Sequence, residues 1–194
     1  MKSRKEGMAL KIKCVLLIVS LIFLTSCVVP GANWIPRDDK AIATETLGQI
    51  ITAVFEEDED ALKHIFSQQV CEDEANHMDE SIAELMDFFQ GEVLEIDDSA
   101  GIGMEEEFEY GRRKIEINSA FGVTTSEREY DIAIKQCTEN SFEPSGVGVS
   151  SFYIVAAENW TVSAVFQGDG KWTPGIQVIT EEEAARIIQS TWNW

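Results

Sequence analysis

The stretch Ile115-Glu116-Ile117-Asn118-Ser119-Ala120-Phe121-Gly122-Val123-Thr124-Thr125-Ser126-Glu127-Arg128-Glu129-Tyr130-Asp131-Ile132-Ala133-Ile134 decides the fold class. Ile115, Ile117 and Phe121 share one parity, and Tyr130, Ile132 and Ile134 share one after them. Side chains of a strand alternate between two faces, so apolar residues two apart mark a strand with one buried side. Gly122 to Ser126 lies between the two runs and reads as a turn, making the whole a hairpin of an antiparallel sheet.

Downstream, Val149 to Ala157 is apolar on both parities, the pattern of a central strand covered on each side. Thr161 to Phe166 is a further strand candidate, ended by Gly168-Asp169-Gly170. A last helix is expected from Thr180, with Glu183 three residues on as a capping box and Ile187 and Ile188 facing inward. Upstream, Glu92 to Ile96 is short and β-prone, and Met104, Phe108 and Tyr110 share a parity.

Before all of these the period changes to that of a helix. Ile42, Leu47, Ile50, Ile51, Val54 and Phe55 form one stripe over Lys40 to Glu56, with Asp38 or Asp39 placed to cap it. Asp58 opens a second, short helix with Leu62, Ile65 and Phe66 inward. A third carries Met78, Ile82, Leu85, Met86 and Phe89 on one side and Glu80, Glu84 and Asp87 on the other, with Gly91 placed to stop it. Helices first, strands after, and no fixed-period repeat predict an α+β domain: N-terminal helices packed on a curved, mostly antiparallel sheet, plus a short C-terminal helix.

The first 26 residues differ in kind. Lys2, Arg4, Lys5, Lys11 and Lys13 precede an apolar run from Val15 to Leu24. That run is short of the roughly 20 residues a spanning helix needs, and it has the length of a signal-peptide core. The next residues, Leu24-Thr25-Ser26-Cys27, resemble the lipobox of bacterial lipoproteins. The resemblance implies cleavage before Cys27 and a lipid on its thiol. The expected organisation is 1–26 signal peptide, 27–37 lipidated tether, and 38–194 one α+β domain. The implied location is the cell membrane, lipid-anchored and facing the extracytoplasmic side.

Removing that segment takes five Lys/Arg and one Glu from a chain of formal charge −20 and leaves −24. Such a charge argues against nucleic acid and anionic membrane surfaces as partners. It fits a basic protein partner, with Glu80, Glu84 and Asp87 the candidate contact surface, or a merely solvated acidic surface. A hydrophobic content of 44% argues against disorder.

Cys71 and Cys137 remain after the signal and lipidated cysteines, either as a candidate disulfide of an exported domain or as two buried thiols. No metal site and no cofactor are expected: His64 and His77 lack a histidine partner at helical spacing, and no phosphate or dinucleotide fingerprint is present. Glu105, Glu106, Glu107 and Glu109 precede Arg112, Arg113 and Lys114, so pairing of these segments sets opposite charges across strands and guards an edge; the alternative is an acidic pocket rim. Asp131 faces away from Tyr130, so no acid–tyrosine pair is visible. Trp34, Trp160, Trp172, Trp192 and Trp194 are readable as core or as interface anchors.

From about Thr44 to Ile176 the chain resembles a family of small lipoproteins of Gram-positive bacteria known as domain-of-unknown-function family 5104. The resemblance rests on Leu62-Lys63-His64-Ile65-Phe66-Ser67, Ile82-Ala83-Glu84-Leu85-Met86-Asp87-Phe88-Phe89-Gln90-Gly91, Tyr110-Gly111 and Trp172-Thr173-Pro174-Gly175-Ile176. It implies a cone fold similar to nuclear transport factor 2, with helices in the hollow of a curved sheet, and assigns no catalytic residue. Three functions are compatible with it: a non-enzymatic domain binding a small ligand or a protein partner, an isomerase- or cyclase-like enzyme using the cone's pocket, and an immunity-type protein with an acidic binding face.

Overall fold

The computed structural model describes residues 37–99, 101–157 and 172–191. Asp38–Trp194 is one compact unit. Its first helix, α1, spans Asp39–Phe55 and is capped by Asp38, whose Oδ1 accepts from the Ala41 amide at 3.0 Å. Ala43, Leu47, Ile50, Ala53 and Val54 are its buried residues. Asp58 caps α2, Glu59–Ile65, in the same way, with the Ala61 amide donating at 2.9 Å. A short α3, Gln68–Asp73, follows under a Ser67 cap; six residues are too few to show a periodic stripe. Helix α4 spans Met78–Phe88 and buries Met78, Ile82 and Leu85.

The sheet has six strands: β1 Val93–Asp97, β2 Ile102–Glu109, β3 Arg112–Thr125, β4 Glu129–Asn140, β5 Gly148–Ala156 and β6 Gly175–Ile179. Its order is β1-β3-β4-β5-β6, with β2 also paired to β3. Strand β3 is long enough to hold two neighbours end to end on one edge: β2 along Arg112–Ser119 and β1 along Gly122–Thr125. Register shifts at Val93/Glu95, Ile115/Glu116 and Lys135/Gln136 bend the strands and give the sheet its curvature.

One sequence expectation changes here. Gly122 to Ser126 is not the turn, because β3 runs on to Thr125 and the chain reverses over Ser126-Glu127-Arg128, closed by the Thr125 hydroxyl accepting from the Glu127 and Arg128 amides. Gly122 lies in the ladder because Asp97 and Asp131 pair it from both sides, a constraint local turn chemistry does not show. The sheet is mostly antiparallel, as expected, with one parallel pair: β6, whose first two residues close a family block by sequence, lies parallel to β5.

Strand β5 is covered on both faces, as its two-sided apolar pattern requires. Phe152 and Ile154 join the core beneath the N-terminal helices, with Ile117, Phe121, Tyr130, Ile132 and Ile134. Tyr153 and Val155 face the other way and pack with Ala133, Ile179 and Ala184 of helix α5, Glu181–Thr191. Helix α5 starts under Thr180, whose Oγ1 accepts from the Glu183 amide at 3.3 Å. The expected strand Thr161–Phe166 and the side chains of Ile187 and Ile188 lie outside the described residues.

Where the α2–α3 link crosses β5, the Ser67 amide donates to the Val149 carbonyl at 2.9 Å and Phe66 bridges Val149 in parallel. Gly148 permits this approach: at φ +128° a β-carbon there would sit 2.7 Å from Ser67 N and 2.9 Å from Phe66 C.

Candidate functional site

A surface groove of about 540 Å³ opens where α1 ends, α2 begins and α4 passes. Val54 and Phe55 enter from the end of α1, Ala83, Met86 and Asp87 from α4, Phe89 and Gly91 from the link to β1, and Glu57 and Glu59 from the α1–α2 turn. Five of the lining side chains are apolar and three are carboxylates. Phe55 belongs to the apolar stripe of α1, yet 49% of its surface is exposed because it stands in the groove rather than under it.

Two local devices hold this geometry. The first is the end of α1. The Asp58 amide donates to the Ala53 carbonyl at 2.9 Å and the Glu57 amide to the Val54 carbonyl at 3.2 Å, the two bonds of a Schellman cap. Glu57 occupies its left-handed position at φ 53°. Glycine is the residue that fits there without cost, so Glu57 keeps a carboxylate at the groove at the expense of backbone strain.

The second device is Tyr130 on β4. Its hydroxyl donates to the Phe88 carbonyl at 2.9 Å and accepts from the Gln90 amide at 2.8 Å, fixing both ends of the turn that presents Phe89. Its ring is fully buried and stacks on Phe89 at 4.9 Å, while Phe89 meets Phe55 edge-on at 6.2 Å. Arg128 lies over the Phe88 and Tyr130 rings and reaches Glu181 of α5 at 3.4 Å. Burial pushes the Tyr130 phenol above its ordinary pKa, against the lowering effect of the Gln90 hydrogen bond and of Arg128.

The other sequence candidates fall as follows. Glu80, Glu84 and Asp87 are exposed on α4, and Asp87 alone of the three reaches the groove. Asp131 pairs across the sheet with Gly122 and Val155 on the face away from Tyr130, so the two form no acid–tyrosine pair; burial and nearby Glu129 raise its carboxyl pKa.

Cys71 and Cys137, a candidate disulfide by sequence, are free thiols. Cys71 packs at the border of the helix-side core, whereas Cys137 adjoins Gln136, which reaches Thr46 of α1, and so turns to the opposite face. Burial raises both thiols' pKa.

His64 donates to the Asp60 carbonyl and His77 stands exposed at the start of α4. Among the described residues no group of His, Cys, Asp or Glu is arranged to hold a metal. Trp172 packs edge-on against Tyr153 at 5.5 Å. Leu24, Thr25, Ser26, Cys27, Trp34, Trp160, Trp192 and Trp194 lie outside the described residues.

Sequence reading missed Glu57 and the groove as a whole. Phe55, Met86 and Phe89 were legible only as core stripes, and the one available signal was an aromatic residue followed directly by Glu56 and Glu57.

The fold and groove define an α+β domain with N-terminal helices on one side of an open, curved, mostly antiparallel sheet and a short helix on the other. The profile of the family Domain of unknown function (DUF5104) matches residues 49–157, and the chain belongs to that family. The matched span runs from the middle of α1 to the end of β5, and so includes every residue that lines the groove. Among curated proteins nothing matches the chain. No described helix is long and apolar enough to cross a membrane.

Proposed function

We propose that this protein is a lipid-anchored extracytoplasmic binding protein whose groove takes a cationic, partly apolar ligand or protein segment. Residues 1–26 act as the export signal, Cys27 carries the lipid, and the domain from Asp38 is held at the outer side of the cell membrane. The cationic leader, the short apolar run and Leu24-Thr25-Ser26-Cys27 support the anchoring. Two or three acyl chains on one cysteine give stable attachment where a single chain is marginal.

The observation that carries the binding role is the groove itself: apolar side chains of Val54, Phe55, Met86 and Phe89 beside the carboxylates of Glu57, Glu59 and Asp87, and a strained backbone at Glu57. The acidic edge of α4, Glu80 and Glu84, continues from Asp87 and steers a basic partner toward it. The helices on a curved sheet are read as the cone arrangement of nuclear transport factor 2. The enzyme reading draws less support, because the Tyr130 hydroxyl is engaged by two backbone groups and Asp131 faces away.

Two experiments test the proposal. Cys27→Ala should abolish palmitate labelling and globomycin-sensitive processing; unchanged labelling refutes the anchor. Dansylcadaverine, an apolar amine, should bind the full-length protein in preference to a dansylated carboxylate of equal size. Each exposed ion pair is worth about 0.5 kcal/mol. Neutralising Glu57, Glu59 and Asp87 together should therefore weaken the amine about tenfold. Equal binding of amine and carboxylate overturns the groove reading.

A further inference from the structure

Strand β2 is the outermost strand along the first half of β3, which pairs with β4 on its other side. Every β2 residue after Ile102 is exposed, and among the described residues no strand pairs with its outer edge. Its two faces differ. Met104 and Phe108, 50% and 70% exposed, point to the side of Ile117 and the N-terminal helices, against which Ile102 packs. Glu105, Glu107 and Glu109 point to the other side, about 7 Å apart along the strand. Glu106, on the apolar side, is neutralised by Arg113 at 2.7 Å. Glu105, Glu107 and Glu109 have no cationic partner among the described residues, because Lys114, opposite Glu107, is drawn to Glu116 at 3.2 Å.

The turn adds a second observation. Glu109 pairs with Arg112, leaving Tyr110 and Gly111 as a two-residue loop, both at positive φ. Such a turn favours Asn-Gly. Here its first position holds a tyrosine with 92% of its surface in solvent, a strained placement that packing within the described domain does not require.

An open edge of eight residues is a template for another strand. A second copy of this chain does not fit it, since antiparallel pairing centred on the run Glu105-Glu106-Glu107 sets glutamate against glutamate in a chain already at −20. We propose that the outer edge of β2 is a docking strand for an extended basic segment of another protein. Alternate Lys or Arg side chains of that segment meet Glu105, Glu107 and Glu109. The intervening apolar ones lie beside Met104 and Phe108, and the tip meets the Tyr110 ring. This surface is separate from the groove, which lies at the far end of α1, and does not depend on it.

The test uses the full-length protein and fluorescein-labelled peptides of about ten residues. One peptide alternates Lys and Val, one has the same composition in two blocks, and one alternates Glu and Val. The alternating Lys/Val peptide should bind best and protect the amides of residues 102–109 from hydrogen exchange. Reversing Glu105, Glu107 and Glu109 to Lys should weaken it about tenfold and transfer preference to the Glu/Val peptide. Phe108→Ala, which keeps every charge, should weaken it too. Equal binding of the block peptide, protection at the groove instead of β2, or dimerisation through β2 would each overturn the proposal.

Discussion

Tyr130→Phe removes one oxygen from a ring that stays packed. The ring's stack on Phe89 at 4.9 Å and its edge contact with Phe88 at 5.7 Å use only carbon atoms and survive the change. Two hydrogen bonds do not, the one to the Phe88 carbonyl and the one from the Gln90 amide. At about 1 kcal/mol net for each, the loss is about 2 kcal/mol. For a domain of this size that lowers the melting temperature by about 4–8 °C. Tyr130→Ala would add a cavity and cost about 3–5 kcal/mol instead.

The pH dependence gives an independent check. Burial raises the folded-state pKa of Tyr130 above its ordinary 10.0. Below pH 10 the phenol is protonated in both folded and unfolded chains and contributes no pH dependence. Above it the unfolded chain ionises first, so the wild type loses stability that the Phe variant keeps. The gap between them should therefore be about 2 kcal/mol at pH 7 and narrower at pH 10.5. Urea titrations followed by circular dichroism measure both. A gap under about 0.5 kcal/mol at pH 7, or one that widens at alkaline pH, would refute the assigned role of the hydroxyl.

Three further changes test other features. Glu57→Gly should raise stability by about 1 kcal/mol, by relieving the left-handed backbone, while weakening dansylcadaverine binding in titrations of the same variant. Gly148→Ala should cost about 3 kcal/mol in denaturant unfolding, because its β-carbon meets the Ser67 and Phe66 backbone. Gly101→Ala, also at positive φ but with nothing within 4 Å, should cost only about 1 kcal/mol. Asp131→Asn should raise the melting temperature at pH 7, since burial and Glu129 penalise the folded carboxylate. That gain should disappear below the ordinary pKa of 3.8, where Asp131 is protonated in both states.

Local chemistry in the sequence determined each element whose residues carry their own signal. Asp38, Asp58 and Thr180 cap the helices expected of them, and the two-sided apolar run at Val149 to Ala157 is the doubly covered β5. The acidic and basic runs at Glu105–Glu109 and Arg112–Lys114 face each other across a hairpin, again as the pattern requires. Periodicity, however, reports which side chains share a face and not what covers that face. Met104, Phe108 and Tyr110 carry a strand's pattern but stay largely exposed, and Phe55 ends its helix in an open groove. Only the tertiary structure decided that Gly122 continues a strand, that β6 lies parallel to β5, and that Cys71 and Cys137 stand apart as free thiols. Each of these depends on partners distant in the chain. The groove is the fullest case, since residues from Val54 to Gly91 meet there only because Tyr130, on a strand still further along, holds the α4–β1 turn in place.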